Sequence, residues 1–315
     1  MNFAVIVLLG AGEGEIERTA DLFDSMSANE PARVRECDVY VVSERFGYPA
    51  ELVSSTLSFA HRYHVPNPRG EDLRHPLDHM TAGMLRGLSE IGRRGPYSFV
   101  LKLDTDALVV GPFHDQLAAL FAARPRVGMA GSYLRFPDGS SRPGLVSWSP
   151  RVRSAMRLIS FRRTLTGFRG VPAALRGAVR RRRLLGEAHR RGYVDGHHVL
   201  GGSYALSGKL VHGWPNGSLE ALQPLFPRTQ LSEDVVMSVL VVRAGYELID
   251  YNAPGEVFGI WHRGLGDSPQ SLLERYAIVH SLKSGAGQDE EGLRDLFRSY
   301  RKQGGRRTRR DARAL

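Results

Sequence analysis

The chain has 315 residues, 42% of them hydrophobic and 24% charged, which allows one large domain or two small ones and a sizeable core. A single cysteine, Cys37, excludes an internal disulfide framework and a cysteine-rich zinc site, and no stretch approaches the ~20 apolar residues of a membrane span. The formal net charge of +10, carried by arginine far more than by lysine, makes an anionic partner plausible, with nucleic acid, anionic lipid and nucleotide all qualifying.

Residues 3–9 form a β-branched apolar run closed by Gly10-Ala11-Gly12, the pattern of a buried parallel strand entering a tight loop. The run lacks a basic leader and a cleavage site, so it reads as a first strand and not a signal peptide, and a cytoplasmic location is expected. The loop 10–14 has no lysine and is not a P-loop. A helix is expected over 17–26, a second strand over 38–44 and a polar, proline-rich stretch over 63–76. Helical spacing of Met80, Met84, Leu85, Leu88 and Ile91 predicts a helix over 79–91, ended by Gly95-Pro96. His61, His64, His75 and His79 show no metal-site spacing and read as surface histidines.

The stretch 99–113 organises the rest. An apolar strand carries Asp104 and Asp106, then turns apolar again. Buried carboxylates are costly unless paired or bound to a cation. Side chains at i and i+2 of an extended chain point the same way, so both acids can face one ion. Carboxylate oxygens suit Mg²⁺ or Mn²⁺, and such an ion can neutralise a diphosphate leaving group. The competing aspartyl-phosphatase pattern fits less well, because position 108 is Leu and the motif is far from the N-terminus.

A helix over 115–123 and a strand over 127–133 follow. Strands alternating with helices indicate an α/β sheet covered on both faces. The segment 151–191 changes character: many arginines stand against one acid, Glu187. It reads as a basic insertion, either simply solvated, or lying on anionic membrane, or serving an anionic acceptor. Then come Gly201, Gly202 and Ser203, where paired glycines let a ligand approach the backbone. Ser232, Glu233 and Asp234 open a helix as N-cap and first-turn acids. A last strand starts near Gly245, and His262, His280 and Lys283 lie beyond it. The segment 288–315 is a polar helix and an arginine-rich tail.

This order of motifs resembles the β-1,3-galactosyltransferase and Fringe-like glycosyltransferases: Asp-x-Asp after an apolar strand, Gly-Gly-x-Tyr-x-Leu-Ser, Glu-Asp-Val, then Gly-Tyr. The resemblance covers about 1–285 and implies the GT-A fold, an α/β architecture with a mixed, mostly parallel sheet flanked by helices. It implies a nucleotide-sugar donor, expected to be a UDP-sugar, and Mn²⁺ or Mg²⁺ as cofactor. Residue by residue, Asp104 and Asp106 match the acids that hold metal and donor, and Gly201, Gly202 and Ser203 match the segment beside the donor sugar. Asp234 matches the general base of inverting members, with Glu233 beside it. A late histidine completes the metal site. His280 is preferred over His262, because Lys283 close behind it can meet the diphosphate.

The expectation is a single GT-A domain over 1–287 carrying the basic insertion, with 288–315 as an appended helix and tail, moving a hexose to an acceptor hydroxyl of a glycan, lipid-linked or small-molecule acceptor. Two alternatives stand beside it. A sugar nucleotidyltransferase would carry Arg and Lys in its Gly-rich N-terminal loop, where this chain has acids. A binder of anionic polymer or nucleic acid would use the basic segments, but no nucleic-acid motif appears and no specific nucleic acid is expected.

Overall fold

The structure, a computed structural model, describes residues 2–44, 47–67, 76–142, 149–154, 171–226, 229, 231–262, 264–285 and 287–302. His75, the middle of the basic segment and the arginine-rich tail fall outside them.

The chain is a mixed α/β protein with a mostly parallel central sheet flanked by helices. Seven strands make the sheet: β1 (Phe3–Leu8), β2 (Cys37–Ser43), β3 (His61–Pro66), β4 (Phe99–Leu103), β6 (Val127–Gly131), β7 (Ser203–Ser207) and β8 (Glu247–Asp250), in the order β3-β2-β1-β4-β7-β6-β8. β7 runs antiparallel to β4 and β6, and the other neighbouring pairs are parallel. The central strands β1, β2 and β4 are buried on both faces, which explains their near-continuous apolar runs.

Alternation assigns each face its own core. Ala4, Ile6, Tyr40, Val42 and Val100 pack with helices α2 (Pro76–Arg94), α4 (Val171–Arg190) and α6 (Glu233–Arg243). Phe3, Val5, Val7, Val39, Val41, Phe99 and Leu101 face α1 (Glu15–Asn29) and α3 (His114–Ala123) on the other side. α1 starts after Gly14, whose φ of 77° is the left-handed conformation that glycine adopts without strain.

Three places differ from the sequence expectation. Residues 61–66, expected within or beside a loop, form edge strand β3; pairing with β2 outweighs the polar, mostly exposed pattern His61-Arg62-Tyr63. Helix α4 packs on the core through Leu184, Leu185 and Ala188, while Arg176, Arg180, Arg182, Arg183 and Arg190 stay exposed. An amphipathic helix lies in a membrane by its apolar face, and here those three apolar side chains are already spent inside the protein. Likewise helix α8 (Glu290–Lys302) is docked rather than appended, with Leu293 and Phe297 buried beside Leu108, Tyr276 and Leu282. Among the described residues, no helix is long and apolar enough to cross a membrane.

A second, three-stranded sheet joins β5 (Leu108–Val109), β9 (Phe258–Ile260) and β10 (Ile278–His280) in the order β5-β10-β9. β10 pairs antiparallel with β5, Val279 opposite Leu108. That register carries the chain from β10 back toward Asp106, so the small sheet ties the far end of the sequence to the acid motif.

Candidate active site

β4 ends at Leu103, and Asp104, Thr105 and Asp106 form a turn closed by Ala107 N donating to Asp104 O at 3.1 Å. The acids are therefore not on an extended strand, and the two-residue period is not what brings them together. The turn is held from outside. Asp104 N donates to Gly202 O at 3.0 Å, Leu282 N to Asp106 O at 3.1 Å, and Thr105 Oγ1 to Glu15 Oε2 at 2.6 Å. The buried Arg294 of α8 donates to Thr105 O at 3.0 Å and to Asp21 Oδ2 at 2.9 Å.

β10 delivers His280 to this turn. His280 Nε2 lies 3.0 Å from Asp106 Oδ1 and 3.8 Å from Asp104 Oδ2. Asp104, Asp106 and His280 each offer a ligand atom within 4.8 Å of the others. Two carboxylate oxygens and one imidazole nitrogen suit a divalent cation such as Mn²⁺ or Mg²⁺. The other ring nitrogen, Nδ1, faces Trp261 O at 3.3 Å, and a proton held there leaves Nε2 free to ligate. His262 is exposed and is not part of this group.

Electrostatics separates the two acids. Burial raises the Asp104 carboxyl above its ordinary range, against the opposing pull of Lys102 and His280. Burial would also raise Asp106, but the His280 hydrogen bond, the His280 and Lys283 charges and Ser281 together hold it well below that range. Ser281 Oγ donates to Asp106 Oδ2 at 2.9 Å, and Lys283 Nζ, on a largely exposed side chain, is 3.3 Å from the same oxygen.

The antiparallel register Leu103↔Ser203 places the glycine pair against the acid turn. Gly202 lies so close to His280 that a Cβ would overlap the imidazole. A Cβ on Gly201 would stand 3.0 Å from Asp234 Oδ2. The two glycines therefore separate the metal-ligating group from Asp234. Ser203 is buried and donates to Gly202 O at 2.6 Å, bracing this turn.

At the start of α6, Ser232 occupies the N-cap position with extended backbone, but its hydroxyl bonds Asp234 instead of a backbone N–H. Asp234 Oδ1 also accepts from Val235 N at 2.8 Å, leaving Oδ2 toward Gly201, with His198 Nε2 at 3.7 Å. Glu233 is 2% exposed and turned away, its carboxylate 2.9 Å from Lys102 Nζ and 2.9 Å from the Tyr204 hydroxyl that donates to it. Burial, outweighing the pull of Lys102, pushes Glu233 up to about 7.

Sequence reasoning did not single out Lys102, Tyr204, His198 or Arg142. Lys102 carried a signal: a lysine inside an otherwise apolar strand has to find buried acids. Arg142 did not, since its guanidinium reaches Ser132 O, Tyr133 O and His198 O at 2.6–2.7 Å only in the folded chain.

No protein-family model and no curated protein matches the chain. Among solved structures it is similar to the galactosyltransferase LgtC in complex with donor and acceptor sugar analogues, at 12% identity over 95% of this chain and 96% of that one, TM-score 0.48. It is also similar to the mannosyltransferase PcManGT from Pyrobaculum calidifontis in complex with GDP-Man and Mn²⁺, at 16% identity over 84% of this chain and 58% of that one, TM-score 0.40. A third is the glycosyltransferase GlyE of Streptococcus pneumoniae TIGR4, at 12% identity over 96% and 60%, TM-score 0.47.

Proposed function

We propose that the chain is a metal-dependent GT-A glycosyltransferase that moves a hexose from a nucleotide-diphosphate sugar, a UDP-sugar by the motif resemblance, to an acceptor hydroxyl of a glycan, lipid-linked or small-molecule acceptor. One observation carries this reading. A cation-ready group, Asp104, Asp106 and His280 within 4.8 Å, stands across a glycine pair from a second buried carboxylate, Asp234.

Asp104, Asp106 and His280 would hold Mn²⁺ or Mg²⁺, which when bound supplies charge to the departing diphosphate. Lys283, exposed behind His280 and 3.3 Å from Asp106 Oδ2, would meet the same diphosphate. Gly201 and Gly202, lacking side chains, let Asp234 and His280 pack directly against the backbone that separates base from metal group. Asp234 takes the acceptor proton on Oδ2, Oδ1 being occupied by Ser232 and Val235. The acceptor oxygen then bonds to the anomeric carbon as the carbon–phosphate-oxygen bond breaks, and attack opposite the leaving group inverts the centre. Glu233, sealed between Lys102 and Tyr204, serves position rather than proton transfer.

The test is a panel of nucleotide sugars with Mn²⁺, read by metal-dependent thermal stabilisation and by donor hydrolysis. Once a donor is found, Asp234→Asn should bind donor and metal as the parent does and transfer about 10²–10⁴-fold more slowly. Parental transfer by that variant would remove Asp234 from the mechanism. A panel with no metal-dependent response would remove the function.

A further inference from the structure

Lys102 is fully buried in the middle of a central strand. An ammonium in such a place is strongly unfavourable unless it is paired and hydrogen-bonded, and packing alone would be served by Leu or Met. Its partners belong to three separate parts of the site. The ammonium meets Asp104 Oδ1 at 2.5 Å, Glu233 Oε1 at 2.9 Å and the carbonyl of Gly201, and it lies 5.6 Å from the centre of the Tyr204 ring. Tyr204 in turn binds the second oxygen of Glu233. The acid turn, the glycine pair and the start of α6 thus share one cation.

The contact with Asp104 has a consequence for the metal group. With Oδ1 taken by Lys102, Asp104 turns only Oδ2 toward His280. A carboxylate held this way ligates through one oxygen. Mg²⁺ and Mn²⁺ accept such ligands readily, whereas Ca²⁺ has to collect about 6–8 oxygens, taking one or both from a carboxylate, so a carboxylate limited to one oxygen serves it less well. We infer that Lys102 is a positioning residue that makes Asp104 a one-oxygen ligand and so selects small divalent cations over calcium. The inference rests on the metal-site reading above.

The experiment measures Mn²⁺ and Ca²⁺ affinity on the full chain by calorimetry, beside thermal melting. Lys102→Met alone leaves Asp104 and Glu233 without their shared cation and can unfold the protein. The double variant Lys102→Met with Glu233→Gln removes one charge of each sign and keeps the volumes. Glu233→Gln alone keeps Lys102 on Asp104. The expected result is a Ca²⁺-over-Mn²⁺ preference raised about tenfold in the double variant, the scale seen when a group behind a metal ligand is lost, and a parental preference in Glu233→Gln. A folded double variant with the parental ratio overturns the role of Lys102 and leaves the metal site standing. A parent that binds no Mn²⁺ overturns the metal site, and the inference with it.

Discussion

Gly202→Ala is the sharpest perturbation of the candidate site. The backbone at Gly202 is not left-handed, so alanine brings no conformational penalty there and the cost is steric. The new Cβ would lie 2.6 Å from His280 Cγ and closer still to Nδ1 and Cε1. His280 is 7% exposed, with Nδ1 at the Trp261 carbonyl, so the ring has little space to retreat. Overpacking of this kind costs about 1–3 kcal/mol. A displaced ring also leaves Asp106, 3.0 Å from Nε2, without its imidazole partner. Losing alignment of one ligand should weaken Mn²⁺ binding about 10–100-fold. Gly201→Ala is the control, because the three atoms nearest its Cβ all belong to Asp234, Oδ2 at 3.0 Å foremost. Calorimetric titration of both variants with Mn²⁺, beside a melting curve, separates them: Gly202→Ala should lose metal affinity, while Gly201→Ala should keep it and lose transfer. Parental Mn²⁺ affinity in a folded Gly202→Ala, or the larger loss in Gly201→Ala, would refute the placement of His280 and Asp234 on either side of the glycine pair.

The docking of α8 makes two further predictions. Arg294→Met breaks a buried pair with Asp21 and removes the donor to Thr105 O, so denaturant unfolding should show a loss of about 3–5 kcal/mol, with weaker Mn²⁺ binding because the acid turn loses its brace. Unchanged values for both would make α8 irrelevant to the site. Burial would raise the Asp21 carboxyl, but Arg301, Arg294 and Arg298 outweigh it and hold it below the ordinary 3.8. A depressed carboxyl stabilises fully above the unfolded value and loses that contribution as pH falls through the folded one. The stability gap between parent and Asp21→Asn should therefore be widest near neutral pH and close below about pH 4, in the range of an ordinary carboxyl; a gap independent of pH would contradict the pairing.

Much of the fold was legible locally. The apolar runs at 3–9, 38–44 and 99–103 became β1, β2 and β4, because parallel strands buried on both faces need continuous apolar sequence. The face of Met84, Leu85, Leu88 and Ile91 packs into the core as its spacing requires. Asp104, Asp106, Gly201, Gly202 and Asp234 could be singled out as residue types that a buried, ligand-facing site must explain. Sequence alone preferred His280 to His262 only through the nearby Lys283, and did not say that 171–190 is a helix with Leu184, Leu185 and Ala188 in the core and most of its described arginines on the outer side.

What the sequence by itself determined is which segments alternate, which are buried and where charge must be answered by charge, since these follow from neighbours within a few residues. What only the tertiary structure decided is who answers. The insertion of β7 between β4 and β6 puts Gly201 and Gly202 against Asp104. The β5–β10 register brings His280 to Asp106. The burial of Lys102 joins Asp104 to Glu233. Each is a contact between segments about a hundred residues or more apart, set by strand order and closure of the sheet, and no local periodicity carries that information.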